Sequence, residues 1–297
     1  MRFSFHTHTN FCDGKAGAEA MAQAAFEEGY ALLGFSSHAP LPFDTEWTMK
    51  RKDLPAYGEA VMAQRFRWES RGMKVLLGLE VDFIPGLSGP ASSDFSPLSL
   101  DFILGSVHYL TGYGDEMFAV DEGAEEFADH LLAAGGEGDR VWKGYYLGLA
   151  RMIQEGGFDI LGHFDLVKKN NARGRWFDEG SKAYLDAAFQ AVDLAGERGC
   201  VAEINTGGIA RGKIAEPYPS MEILRRMRGA GVRLTLGDDA HSPGHLGKYQ
   251  ALAAEAAVEA GFESLWYLEG KGRWREISLG EVLGSFPVSH PSGRIAP

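Results

Sequence analysis

A chain of 297 residues, 45% hydrophobic and 24% charged, has the length for one α/β barrel or two small domains. Its net charge, 29 − 41 = −12, repels phosphate backbones and counts against nucleic acid as the main partner, while leaving room for a local basic pocket that binds one small anion. The two cysteines, Cys12 and Cys200, are far apart and belong to no CxxC pair, which fits a reducing cytoplasm and not a disulfide framework. The first residues, MRFSFHTHT, lack the basic and apolar regions of a signal peptide, and no run approaches 18 apolar residues, so neither a leader nor a membrane span is expected.

The first apolar run, Arg2–His8, precedes a helix-like stretch, Ala16–Glu28, closed by Gly29. Leu32–His38 follows, then a helix over Leu54–Arg71 closed by Gly72, then the runs Val75–Phe83 and Phe102–Leu110. Residues 111–150, rich in Gly, Glu and Asp, read as a long βα-loop insertion with one helix, either a lid or a solvated acidic excursion. Ile160–Leu166, a helix over Ser181–Arg198 closed by Gly199, and Val201–Thr206 come next. A helix over Pro219–Arg228 closed by Gly229, the run Arg233–Asp239 and a helix over Gly244–Ala260 closed by Gly261 complete the pattern. Beyond about Glu276 a last helix and a loose terminus are expected. Several runs are apolar on consecutive residues, as strands buried on both faces are. Strand, helix, glycine, strand is the βα repeat, and seven strands predict a barrel of about seven units. A doubly wound sheet competes, but no GxGxxG follows the first strand and no P-loop occurs.

Six of the nine histidines sit where these runs end: His6, His8, His38, His108, His163 and His241. Parallel strands gather their C-terminal ends at one mouth, so residues in phase with the repeat meet there. His6 and His8 alternate on one strand and face one side, as chelation requires. Glu80, inside LLGLEVDF, is costly in an apolar strand unless paired or metal-bound, and a carboxylate can bridge two cations. Asp239 and His241 end the seventh run, which neighbours the first in a closed barrel; Asp13 follows the first run in a loop. Six His, two Asp and one Glu exceed the needs of one ion and suit two or three divalent ions. Nitrogen and oxygen donors without sulfur suit Zn, Mn or Fe. Cys12, beside Asp13, is read as a structural thiol. A metal lowers the pKa of bound water toward neutrality, so hydrolysis is the expected chemistry, with Asp239, His241 and Glu80 as the catalytic residues. Lys168, Lys169 and Arg173 after the fifth run, and Arg211 and Lys213 after the sixth, are candidate anion handles or solvated loop charges.

In this order, HTHTNFCDG, SSHAP, GLEVDF, GSVHYL, GHFDL, EINTGG and GDDAH resemble the polymerase and histidinol phosphatase (PHP) family over roughly residues 3–250. GSVHYL, then FAVD, then GHFDLVKK look most like its histidinol-phosphate phosphatase branch. The resemblance implies an α/β fold, a distorted (β/α)7 TIM-like barrel taking in residues 1–297 as one domain, with three metals. It implies His6, His8, Glu80 and Asp239 on one ion, Glu80, His108 and His163 on a second, and Asp13, His38 and His241 on the third. It implies hydrolysis of L-histidinol phosphate to L-histidinol and phosphate in histidine biosynthesis, with Arg173 and Arg211 near the phosphate; Lys168, from the basic residues after the fifth run, is expected to bind substrate with them. Asp121 or Glu203 are candidates for the substrate amine. Another small phosphate ester or a nucleotide is the alternative substrate, and a metal-binding barrel without turnover the alternative class. The partner expected is a small phosphate ester, with the oligomeric state open. Ser37 stands where the family often has Asp, and Asp238 where it often has Ser.

Overall fold

The computed structural model describes residues 1–112, 117–171 and 174–286. Each apolar run supplies a strand, and neighbouring runs pair in parallel. The first four are β1 (Arg2–Ser4), β2 (Tyr30–Phe35), β3 (Lys74–Asp82) and β4 (Phe102–Ser106). After a small antiparallel pair, β5 (Tyr109–Leu110) and β6 (Phe118–Ala119), come β7 (Ile160–Leu161), β8 (Val201–Asn205) and β9 (Arg233–Gly237). The parallel sheet runs β1-β2-β3-β4-β7-β8-β9. The two ends meet: Phe5 N donates to Leu236 O (3.3 Å), Ala240 N to His6 O (3.3 Å) and His8 N to Ala240 O (3.0 Å). The fold is a distorted (β/α)7 TIM-like barrel, in which the first and last barrel strands, β1 and β9, close the seam.

The helices are α1 (Ala18–Glu27), α2 (Leu54–Glu69), α3 (Ala124–Ala133), α4 (Gly138–Glu155), α5 (Lys182–Glu197), α6 (Gly207–Ala210), α7 (Met221–Ala230) and α8 (Gln250–Glu259). Their boundaries have local causes. Pro55 occupies the first turn of α2, where a missing N–H costs nothing. Ser181 Oγ caps α5 by accepting from Tyr184 N (3.3 Å). Gly29, Gly72 and Gly199 follow their helices at positive φ. The fourth such residue is Gly231 (φ 75°), not Gly229, because α7 runs two residues past Arg228. The β3–β4 crossover contains only a 3-10 turn at Ser93–Phe95, one source of the distortion.

Three expectations differ from the structure. Within 111–150 there are two helices, and α4 belongs to the barrel wall: Val141, Trp142, Tyr145, Tyr146, Leu149, Met152 and Ile153 are buried along it. The strand β7 is only two residues long, shorter than the apolar run; beyond it Gly162 N donates to Gly105 O (2.9 Å), and the chain lies so close to β4 that a Cβ at Gly162 would be 2.5 Å from Ser106 Oγ. The segment before the last helix, α9 (Leu279–Leu283), is an antiparallel hairpin of β10 (Ser264–Gly270) and β11 (Arg273–Ser278). It crosses the N-terminal ends of the barrel strands. Trp274 packs on Phe5 (6.2 Å between ring centres), Tyr267 on Phe3 (5.9 Å), and Lys74 Nζ donates to Glu269 O (2.6 Å). The opposite, C-terminal mouth stays open.

Candidate metal centre

The C-terminal strand ends carry the chemistry, and Glu80 stands at their centre, 1% exposed. Its Oε2 lies 3.0 Å from His6 Nε2, 3.5 Å from His8 Nε2 and 3.0 Å from His38 Nδ1. Its Oε1 accepts from Ser106 Oγ (2.6 Å) and lies 3.0 Å from His163 Nε2 and 3.6 Å from His108 Nε2. The candidate donors converge in overlapping groups whose ligand atoms lie within 4.8 Å of one another. These are His6, His8 and Glu80; Glu80, His108 and His163; His8, Asp13, His38 and His241; and His38, Asp82 and His108. Asp239 joins them, with Oδ1 3.3 Å from His8 Nε2 and 3.3 Å from His241 Nδ1. It holds a left-handed backbone (φ 50°), uncommon for a residue with a side chain and typical of functional sites.

Local packing explains the placement. Period-two alternation turns His6 and His8, Glu80 and Asp82, and Glu203 and Asn205 into the barrel. Behind the donors lies a layer of carboxylates. Glu203 Oε1 lies 2.9 Å from His6 Nδ1, and Asp82 Oδ1 lies 2.7 Å from His108 Nδ1. Gly237 makes room for Glu203: a Cβ there would lie 1.8 Å from Oε2. Asp82 and Ser106 were not anticipated from sequence. Glu203 was considered for the substrate amine, but it is 1% exposed beneath His6 and cannot reach a ligand in the cavity.

The electrostatics call for cations. Burial lowers the affinity of His8 for protons, and His241 and His38 add to this, bringing its pKa to about 3; its ring is neutral with a free lone pair at neutral pH. Glu80 stays well below the carboxylate range: burial opposes its charge, but His6 and His38 outweigh burial. Asp239 is likewise held low, against burial, chiefly by Arg211. His8 Nε2, His38 Nδ1 and Asp13 Oδ1 are buried and, close as they lie to neighbouring donors and carboxylates, none of them is aligned for a hydrogen bond among the described residues. Buried polar atoms rarely go unsatisfied, and three on one mixed N/O donor set fit divalent cations.

The centre opens into a cavity of about 970 Å³, lined by Asp13, His38, Glu80, His108, His163, Asp239 and His241 among others. Arg211 is on its wall, its Nη2 donating to Asp239 Oδ2 (2.8 Å) and Nη1 to Asp239 O (2.9 Å). Lys169, Lys213 and Asp121 also line it. Lys168, expected as an anion handle, does not. It is 5% exposed, and its Nζ lies 3.0 Å from Asp165 Oδ2 and 2.9 Å from Glu216 Oε1 and donates to Pro217 O (3.2 Å), which together occupy it. Arg173 lies outside the described residues. Ser37 does not support His38. Its Oγ bonds the Thr9 hydroxyl (2.8 Å) and accepts from Thr9 N (3.1 Å), tying β2 to the first loop. Asp238 turns away from the metal donors, accepting from Tyr30 Oη (2.5 Å) and Gln250 Nε2 (3.2 Å) at the closing seam. Cys12 Sγ lies 3.5 Å from His8 Nδ1 and donates to Thr9 O (3.3 Å), a packing role.

Known proteins resemble this chain over most of its length. A Deinococcus radiodurans protein assigned as a histidinol-phosphatase is 32% identical over 273 residues, spanning 90% of this chain and 96% of its own. A Listeria monocytogenes structure assigned as a histidinol phosphatase superposes with a TM-score of 0.74 at 23% identity, over 84% of this chain and 99% of its own. A histidinol phosphate phosphatase from Lactococcus lactis, complexed with zinc, L-histidinol and phosphate, gives a TM-score of 0.62 at 18% identity, over 90% and 96%. These two structures share the barrel. The model of the PHP domain matches residues 4–207, from the end of β1 through β8 and so across most of the strand ends that bear the donors; this chain belongs to the PHP domain family.

Proposed function

We infer that the chain is a metal-dependent phosphomonoesterase, a histidinol-phosphatase that hydrolyses L-histidinol phosphate to L-histidinol and phosphate in histidine biosynthesis. One observation carries the chemistry: both oxygens of Glu80 are shared among five histidine rings at the mouth of the barrel. The substrate follows from the Deinococcus relative, whose likeness spans nine-tenths of the chain.

His6, His8, Glu80 and Asp239, then Glu80, His108 and His163, then Asp13, His38 and His241 are the proposed holders of two or three divalent ions, zinc, manganese or iron. Bound there, such ions lower the pKa of a water toward neutrality and polarise the phosphoryl group. The chain's own residues do the rest. Asp239 or a neighbouring histidine such as His241 takes the proton of the attacking water and returns it to the alkoxide oxygen as the P–O ester bond breaks. Glu80 orients the rings on either side of it. Arg211, with Lys169 and the proposed Arg173, supplies positive charge to the phosphoryl oxygens. The buried walls exclude bulk water and strengthen each of these interactions.

The whole chain is proposed as one catalytic barrel, with Met117, Asp121, Glu122 and His130 as part of the cavity wall. Cys12 and Cys200 are free, which supports a reducing compartment such as the cytoplasm. Among the described residues no helix is long and apolar enough to cross a membrane.

The test is steady-state phosphate release from L-histidinol phosphate by the zinc- or manganese-loaded protein. Turnover abolished by chelation and restored by metal is expected. A pure, metal-loaded protein that leaves this ester intact but cleaves another small monoester or a nucleotide overturns the substrate.

A further inference from the structure

The cavity has two unlike halves. The inner half is the donor cluster with its basic residues. The outer half is aromatic: Trp47, from the β2–α2 loop, stacks on Tyr109 of β5 (5.8 Å between ring centres, 23° between planes). Trp47 Nε1 donates to Tyr109 Oη (3.2 Å), which locks the pair, and Phe43 buttresses Tyr109 edge-on at 5.6 Å. The wall begins at the metal donors themselves. Trp47 meets His38 edge-on at 4.6 Å and His108 at 5.5 Å. A phosphorus atom held among His38, Glu80 and His108 therefore has this wall as the neighbouring surface for its leaving alcohol. Asp121 and Glu122 line the same cavity after β6; Asp121 Oδ2 lies 3.6 Å from Lys169 Nζ and Glu122 Oε1 2.8 Å from His130 Nδ1, and Asp44, Glu46 and Glu126 add further carboxylates to the wall.

Two aromatic rings held at a fixed angle offer a face to a flat partner at little cost in side-chain freedom. Carboxylates beside them favour a partner that carries positive charge, and a cation also gains from the ring faces. An aliphatic sugar alcohol has neither property.

We propose that Trp47 and Tyr109 form the alcohol subsite of this cavity, selecting phosphate esters whose leaving group bears a flat ring and a positive charge, with the carboxylates of the wall, Asp121 and Glu122 among them, supplying the counter-charge. This rests on the histidinol-phosphatase reading and names the residues that would discriminate its alcohol.

The experiment compares kcat/KM for L-histidinol phosphate and for glycerol 1-phosphate in the metal-loaded wild type, Trp47→Leu, Trp47→Phe and Tyr109→Leu. In Trp47→Leu the ratio of the two falls about tenfold, the scale of a lost aromatic contact plus its buried area. The fall is carried by KM, and Trp47→Phe recovers most of it. A ratio within twofold of wild type overturns the subsite, because Trp47 then acts only through His38 and His108 and affects every ester alike. A second measurement separates this claim from the functional reading. L-histidinol is tested as an inhibitor of glycerol 1-phosphate hydrolysis. If the wild type ignores histidinol phosphate, the functional reading fails. The subsite still stands if L-histidinol inhibits the wild type about tenfold more tightly than Trp47→Leu, and falls if the two inhibition constants agree.

Discussion

Glu203 and Asp82 decide how two of the histidines present themselves. A carboxylate on Nδ1 fixes the ring's tautomer and orientation, leaving Nε2 of His6 and His108 directed at Glu80. Removing that charge while keeping the shape is expected to weaken metal binding about 10- to 100-fold. Glu203→Gln and Asp82→Asn should each move the midpoint of a zinc or manganese titration of activity by that factor; midpoints matching wild type refute the role. Gly237→Ala should act in the same direction, since its Cβ would displace Glu203. Both acids were legible in principle. Each lies two residues from another polar strand residue, Glu80 or Asn205, and so on the same strand face. Lys168 was not legible that way. A basic residue after a strand reads as an anion handle, and only folding brings Glu216, 48 residues later, onto its Nζ. Its cation answers Asp165, which is fully buried. Lys168→Met should therefore destabilise the protein by about 3–5 kcal/mol, the cost of a buried charge left unpaired. Urea unfolding measures it, and a loss under about 1 kcal/mol would show that the pair is dispensable.

At the scale of elements, the seven barrel strands were readable because burial on both faces leaves consecutive apolar residues, a pattern needing no knowledge of neighbours. The β10–β11 hairpin was hidden for the opposite reason. In RWREIS the outward residues are charged, and only the half-buried Trp274 and the buried Ile277 face the barrel. The signal that makes this a strand is the barrel floor, which a linear reading does not contain. The hairpin's role follows from its place. It covers Phe3 and Phe5 at the mouth opposite the metal donors. Trp274→Ala is expected to lower stability by about 2 kcal/mol, less than the roughly 3–5 kcal/mol of a fully buried aromatic truncation because the ring is half-buried. A large fall in stability with kcat within twofold of wild type is the expected result. An equal loss of kcat in protein still folded at the assay temperature would mean that the floor and the catalytic mouth are coupled.

For the whole molecule, the donor set lies across the seam of the barrel. His6 and His8 extend β1 and Asp239 and His241 extend β9, while Glu80 belongs to β3 on the far side of β2. The direct backbone bonds across the seam are few. Cations held by these side chains therefore link the first strand to the last and close a loop spanning most of the chain. Without them, Glu80 and Asp239 are buried anions answered by neighbouring rings, Arg211 and the Ser106 hydroxyl. Metal that binds the folded chain and not the unfolded one stabilises it by about 2.7 kcal/mol for each site at a hundred times its Kd. In a chain this size that amounts to a rise in Tm of roughly 5 °C or more per site. Differential scanning calorimetry of chelated, zinc-loaded and manganese-loaded protein measures the shift, with elemental analysis of each sample. Stepwise rises in Tm that track one, two and three bound equivalents are expected. Coincident melts for samples whose metal content differs would show that the seam is held by protein contacts alone, and that the donors converge for catalysis without supporting the fold.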